Sequence, residues 1–151
     1  MPSKDKRIFG IDYGMARLGL AVSDASQKIA FPLQFLKAEK KAEFTVKNLL
    51  AFIDVYCKNY YSEIALIVIG MPFMMDGSKG MLADEVDHFA AILKTMTSIP
   101  VVTWDERLTT VMAERSLRES TLTRKKRAKV VDSISAGLML QNYLDSKHAS
   151  G

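Results

Sequence analysis

Between Arg7 and Leu36 the chain carries three β-like runs joined by links too short for a parallel crossover. Arg7–Asp12 and Arg17–Asp24 flank the turn-like Tyr13-Gly14-Met15-Ala16, and Lys28–Leu36 follows a polar break. An antiparallel meander is the arrangement such links allow, with Pro32 placing the third run at an edge. The period then changes. Val46, Leu49, Leu50, Ile53, Tyr56, Cys57 and Tyr60 recur at helical spacing and predict a helix over Lys40–Tyr61. The aliphatic run Ile64–Ile69 reads as a strand covered on both faces, followed by a loop over Gly70–Gly80. A second helix carries Leu82, Val86, Phe89, Leu93 and Met96 on one stripe, and Pro100–Trp104 is a short buried strand. Thr109–Glu119 predicts a third helix, Ser120–Arg127 a basic connector, and Ala128–Asp145 the closing helix. The expected architecture is one α/β domain over residues 1–151, a mixed five-stranded sheet with helices on both faces.

Three acids fall where such a sheet builds sites. Asp12 ends the first strand, Glu106 follows the last, and Asp132 lies near the start of the closing helix. Ligands of open α/β sheets sit beyond strand ends. Side chains alternate faces along a strand, so Asp105 and Glu106 cannot both point inward, and Glu106 is the expected inward one. Ser135 and Ala136 share Asp132's helical face, with Val131, Ile134 and Leu138 beside them as a packing stripe. Small residues there let the helix approach the sheet closely enough for Asp132 to meet Asp12. Converging carboxylates repel, and a hard divalent cation, Mg²⁺ or Mn²⁺, resolves the conflict with oxygen ligands alone. Two such ions can activate water against a phosphodiester. Taken singly, an acid at a strand end is more often a turn former or a cap, so spacing alone leaves the convergence open.

Composition narrows the remaining classes. One cysteine and two histidines exclude zinc clusters, paired-cysteine redox chemistry and a disulfide framework. The charged N-terminus has no hydrophobic region behind it, and the longest apolar run, Ile64 to Met75, is too short to span a bilayer. The expectation is a soluble, cytoplasmic protein with no membrane partner. A net charge of +4 is compatible with a polyanionic partner without demanding one. The densest charge, Arg124, Lys125, Lys126, Arg127 and Lys129, adjoins Asp132 and suits phosphate tracking; its plain alternative is a solvated linker. Arg17 can reach a phosphate or serve as an ordinary surface charge, Arg107 can bind a phosphate or pair with an acid, and Gly14 allows a positive φ or a close backbone approach.

Four segments in order carry a family resemblance. Gly10-Ile11-Asp12-Tyr13-Gly14 with Arg17, Gly19, Ser23 and Asp24 resembles the opening motif of the YqgF (RuvX-type) family. Ile69 to Ser78 resembles its central loop, and Trp104 to Thr110 with Ala113 and Glu114 its third motif. Lys129–Leu144, with Asp132 and the ending Leu140, Gln141, Tyr143 and Leu144, resembles its last helix. The resemblance implies an RNase H-like fold related to RuvC-type resolvases and an acidic metal site on Asp12, Glu106 and Asp132. It also implies a nuclease acting on structured RNA, a ribosomal RNA precursor or particle, or on branched DNA. Phe73-Met74 and Lys79 depart from the family's usual central loop, which bears on substrate recognition.

Other classes fit less well. Actin-like ATPases and sugar kinases open with a similar Asp-x-Gly turn, but they need two domains, and the glycines at 10, 14 and 19 have the wrong spacing for a phosphate-binding loop. A binding module without catalysis is the other alternative, one that would not need all three acids. Monomer and homodimer are both compatible with the sequence.

Overall fold

A computed structural model describes residues 3–14, 16–72, 80–105 and 124–149, with side chains in the last segment described from 134 to 148. Glu106, Arg107, the central-loop positions Phe73, Met74 and Lys79, and the helix expected at Thr109–Glu119 lie outside the described residues.

The short links act as expected. β1 (Asp5–Tyr13), β2 (Arg17–Ser23) and β3 (Ala30–Lys37) form an antiparallel meander, in which Phe9 faces Val22 and Gly19 faces Phe35. α1 (Ala42–Tyr60) leads to β4 (Ser62–Met71), which pairs parallel to β1. α2 (Met81–Met96) leads to β5 (Val101–Asp105), parallel to β4, and α3 (Arg124–Ala149) closes the fold. The sheet order is β3-β2-β1-β4-β5, which puts Pro32 on an edge strand as read from the sequence. No described helix is long and apolar enough to cross a membrane.

Strand alternation divides the core into two layers. Phe9, Ile11, Leu18, Leu20, Ile67 and Ile69 pack under α1 and α2 against Val46, Leu49, Val86, Phe89 and Leu93. Ile8, Ala21 and Val68 face the other way and pack under α3 against Ala136, Met139, Leu140, Tyr143 and Leu144. Helices therefore cover both faces. Each fully buried Leu or Met in these layers contributes about 1.5–3 kcal/mol of transfer free energy.

The second layer is thin because its floor is small. Gly10 is buried, and a Cβ built there would lie 3.1 Å from the Leu140 Cβ, tighter than ordinary van der Waals contact. Gly137 sits over the Pro32 ring, and Ser135 and Ala136 are buried in the interface. Direction is fixed by Gln141. Its Oε1 accepts from the Ala30 N–H at 2.8 Å, and its Nε2 donates to the Lys28 carbonyl at 2.8 Å. Two turns further, a His148 ring nitrogen meets the Gln27 carbonyl at 2.8 Å. These bonds hold the C-terminal half of α3 beside the β2–β3 connection, at the start of β1. Its N-terminal half consequently runs toward the end of β1, where Asp12 stands.

Three details correct the sequence reading. α3 begins at Arg124 rather than Ala128, because Arg and Lys are good helix formers and a polar run need not be a connector. The buried stripe of α3 is Ala136, Met139, Leu140, Tyr143 and Leu144, with Ile134 and Leu138 only half-buried, since the helix turns its smaller residues to the glycine floor. Gly70 and Met71 belong to β4 rather than to a loop, and Met71 is buried, whereas Met96 at the end of α2 is exposed.

Filling the floor tests this packing. Gly10→Val is expected to destabilise the protein by about 1–3 kcal/mol, read by urea denaturation. Adding Leu140→Ala to Gly10→Val should cost less than the sum of the two single changes, because the two side chains compete for one space.

Candidate nucleic-acid cleavage site

Asp12 has the parity of Ile8 and Gly10, so it belongs to the α3 face of the sheet, one pleat beyond the Gly10–Leu140 contact. It pairs with Gly19 of β2. On its other side, the register of Ile11 with Ile69 brings it level with Gly70, which pairs with Trp104 of β5. A row of Phe35, Gly19, Asp12, Gly70 and Trp104 therefore crosses the sheet. Strands lie about 4.8 Å apart, so the two aromatic residues stand roughly 10 Å to either side of the carboxylate. The glycines between them put no side chain beside it. Asp12 is half-buried.

The other expected residues fall into three groups. Asp105 shares the parity of Val101, which packs in the α1–α2 layer, so Asp105 is on the face opposite Asp12 as expected. Trp104 packs with the α3 layer, edge-on to Tyr143 at 5.4 Å between ring centroids. Asp132 lies in the third turn of α3, not near its start, because the helix begins at Arg124. Its position precedes Ala136 by one turn and Met139 by two, and both of these are buried against the sheet. The side chains of Asp132, Arg124, Lys125, Lys126, Arg127 and Lys129 lie outside the description. As helix residues rather than a connector, the basic group is spread around an axis, with Lys125 and Lys129 sharing one face. Asp12 is thus the one member of the expected acidic trio with a described side chain. Among the described residues no group of three His, Cys, Asp or Glu comes together.

Arg17 opens β2 on the Asp12 face, with its guanidinium carbon 5.0 Å from the centroid of the Phe35 ring. Gly14 serves by close approach rather than by a positive φ, because a Cβ there would meet the Arg17 carbonyl oxygen at 2.6 Å. Among the described residues two buried polar atoms have no hydrogen-bond partner, Trp104 Nε1 and Ser135 Oγ, and Ser135 is one turn from Asp132. A cavity of about 740 Å³ lined by Tyr13, Lys40, Lys41, Glu43, Glu85 and His88 opens on the other side of the sheet, away from Asp12.

Ser23 and Asp24, part of the opening motif, have structural roles that the sequence reading did not assign. Ser23 Oγ accepts the Ile8 N–H at 2.9 Å, where the pairing of β1 with β4 slips by a residue. Asp24 caps the β2–β3 turn. Its carboxylate accepts from the Lys28 and Ile29 N–H groups at 2.8 and 3.0 Å and from the Ser26 hydroxyl. The Ser26 hydrogen bond first, then the Ile29 N–H, hold its pKa down to about 2. An Asp followed two residues later by Ser in a polar break is the signal that predicts such a turn.

A mixed sheet in this strand order, with helices on both faces and an acid ending its first strand, defines an RNase H-like protein. The structure resembles that of T. thermophilus RuvC in complex with a Holliday junction substrate, with a TM-score of 0.54 over 96% of this chain and 97% of that one. At 14% identity this is a likeness of fold. Residues 6–146 match the model of the RuvX family, described as Holliday junction resolvase, and the chain belongs to that family. A candidate pre-16S rRNA nuclease of Protochlamydia amoebophila is 59% identical over 144 residues, 95% of this chain and 96% of that protein. Its counterpart in a Geobacillus species is 40% identical over 142 residues, 93% of this chain and 99% of that protein.

The Asp24 turn makes an acid-stability prediction. A carboxyl with a depressed folded pKa stabilises the fold above its ordinary value of 3.8, and loses that contribution as pH falls through about 2. Asp24→Asn should lower the melting temperature at pH 7, and the gap from wild type should shrink as pH falls from 4 to 2 in a thermal-denaturation series.

Proposed function

We propose that this protein is a divalent-metal-dependent endonuclease that trims a structured ribosomal RNA precursor, using Asp12, Glu106 and Asp132. The observation that carries the reading is the placement of Asp12 on the α3 face, between two glycines, at the strand end toward which the N-terminal half of α3 runs. Continuing the alternation of β5 by one residue gives Glu106 the Trp104 face, which is also Asp12's. Extending the buried line of α3 back by one turn from Ala136 gives Asp132.

The surroundings suit a hard cation. The three acids offer oxygen donors only, and Gly19 and Gly70 put no side chain of their own beside the carboxylate. The buried Ser135 hydroxyl, which has no hydrogen-bond partner among the described residues, lies one turn along α3 from Asp132 and would bond a hydrated ion held there. When bound, Mg²⁺ or Mn²⁺ supplies an activated water and stabilises the leaving oxygen. The chain's own residues do the rest. The carboxylates fix the position of the charge, Arg17 engages a phosphate oxygen pair, and Arg107 with the basic first turns of α3 tracks the neighbouring backbone. The ribosomal substrate follows from the relatives at 59% and 40% identity, both named for pre-16S rRNA.

The test is cleavage of a labelled 16S precursor with Mg²⁺ or Mn²⁺, beside lanes with EDTA and with four-way-junction DNA. Asp12→Asn and Asp132→Asn are each expected to lower cleavage by about a hundredfold or more, since even changes to residues that only support metal ligands cost 10–100-fold. Equal cleavage by wild type and both variants would reject the site. Cleavage confined to the junction lane would reassign the substrate to branched DNA.

A further inference from the structure

We propose that two copies of this chain associate through the outward face of α1, as an antiparallel helix pair about a two-fold axis. α1 serves its own fold with Thr45, Val46, Leu49, Ile53 and Tyr56, all buried. Phe44, Asn48, Ala51 and Val55 lie on the other side of the helix, and all four are exposed. Phe44 is 51% exposed and Val55 56%, on one line about three turns apart. One apolar side chain at a surface is ordinary. Two on one line are another matter when Asn48 and Ala51 stand between them at steps of four, three and four, the spacing by which helices pair.

The charges choose both the partner and its direction. Lys47 and Asp54 are exposed and run along one flank of this line, seven residues apart. In an antiparallel pair like flanks meet, so Lys47 of each copy lies against Asp54 of the other. The two-fold axis makes that opposite-charge contact twice. A parallel pair would set the same two residues against Phe52 and Asn59, which carry no counter-charge. The antiparallel register also puts Val55 of each copy on Phe44 of the other, and Asn48 on Ala51, whose small side chain lets the backbones approach. Both charges can turn to this contact. Lys47 Nζ lies 5.6 Å from the Phe44 ring centroid, already over the apolar line. Asp54 meets Lys58 at 3.1 Å, but their side chains are 65% and 75% exposed, and so open an ion pair holds them weakly.

α1 covers the sheet face opposite the one that carries Asp12, so association leaves the Asp12 face of each copy turned outward. One helix from each side makes a small interface beside the roughly 1,200–2,000 Å² of stable complexes, so the dimer is expected to depend on concentration.

The test is sedimentation equilibrium of the full chain between about 10 μM and 1 mM, a range that brackets a weak dimer. Average mass is expected to rise with concentration toward twice that of the monomer. Lys47→Glu and Asp54→Lys should each weaken association about tenfold, through like charges set opposite one another. An equal mixture of these two variants should recover it, because each then offers the charge the other lacks. Val55→Asp should stay monomeric throughout, and thermal denaturation should show all three variants folded, since the changed residues are exposed. Wild type that is monomeric at the highest concentration would overturn the proposal, as would variants that associate like wild type. A mixture no better than its components would overturn the antiparallel pairing. No substrate enters the measurement, so its outcome is independent of the nuclease reading.

Discussion

Leu140 rests on Gly10 with almost no space between them, and much of the molecule's architecture is arranged around that contact. A helix can lie this close to a sheet only where the strand beneath offers no side chain, and β1 provides that at its centre. Ala21 to one side, Pro32 under Gly137, and the buried Ser135 and Ala136 continue the same small-residue interface. Gln141 then decides which way the helix runs, by engaging both a backbone donor and a backbone acceptor of the β2–β3 connection. Height and direction together bring the N-terminal half of α3 toward the end of β1. The same geometry that closes the second core layer thus prepares the place where the acids of helix and strand can meet.

The site continues this use of small residues one pleat further on. Gly19 and Gly70 flank Asp12 as Ala21 and Val68 flank Gly10, so neither neighbouring strand sets a side chain beside the carboxylate. Larger residues on either strand would crowd it. Arg17 and Lys37 add positive charge to the same face at the same end of the sheet. The cavity on the α1–α2 side sets Glu39, Glu43 and Glu85 against Lys40 and Lys41 in its walls, a mixed lining with no excess of positive charge for a polyanion.

Much of this was legible from residues alone, for identifiable reasons. Short links dictated the meander, the aliphatic run Ile64–Ile69 marked a strand with two covered faces, and period-two alternation set Asp105 apart from the site. Two kinds of information were not local. The polar run at Arg124–Arg127 reads equally as loop or helix, because solvated Arg and Lys satisfy both, and the closing helix was therefore started too late. On α3 the small residues Ser135 and Ala136 do face the sheet as read, whereas Ile134 and Leu138 beside them are only half-buried, because burial there follows the glycine floor of another segment. Asp24 was read only as part of a family motif, and its capping of the β2–β3 turn became visible through Lys28, Ile29 and Ser26. The contact of the Phe35 ring with Arg17 gave no signal at all, since it is diagonal across two strands.

The central claim is that the close packing of α3 brings Asp132 to Asp12 around a shared cation. Anomalous diffraction from crystals of the protein soaked with Mn²⁺ tests it most directly. The account predicts a manganese peak in contact with both carboxylates, with Glu106 completing the group on the same face. A peak elsewhere, or well-defined Asp12 and Asp132 side chains too far apart to share an ion, would contradict it.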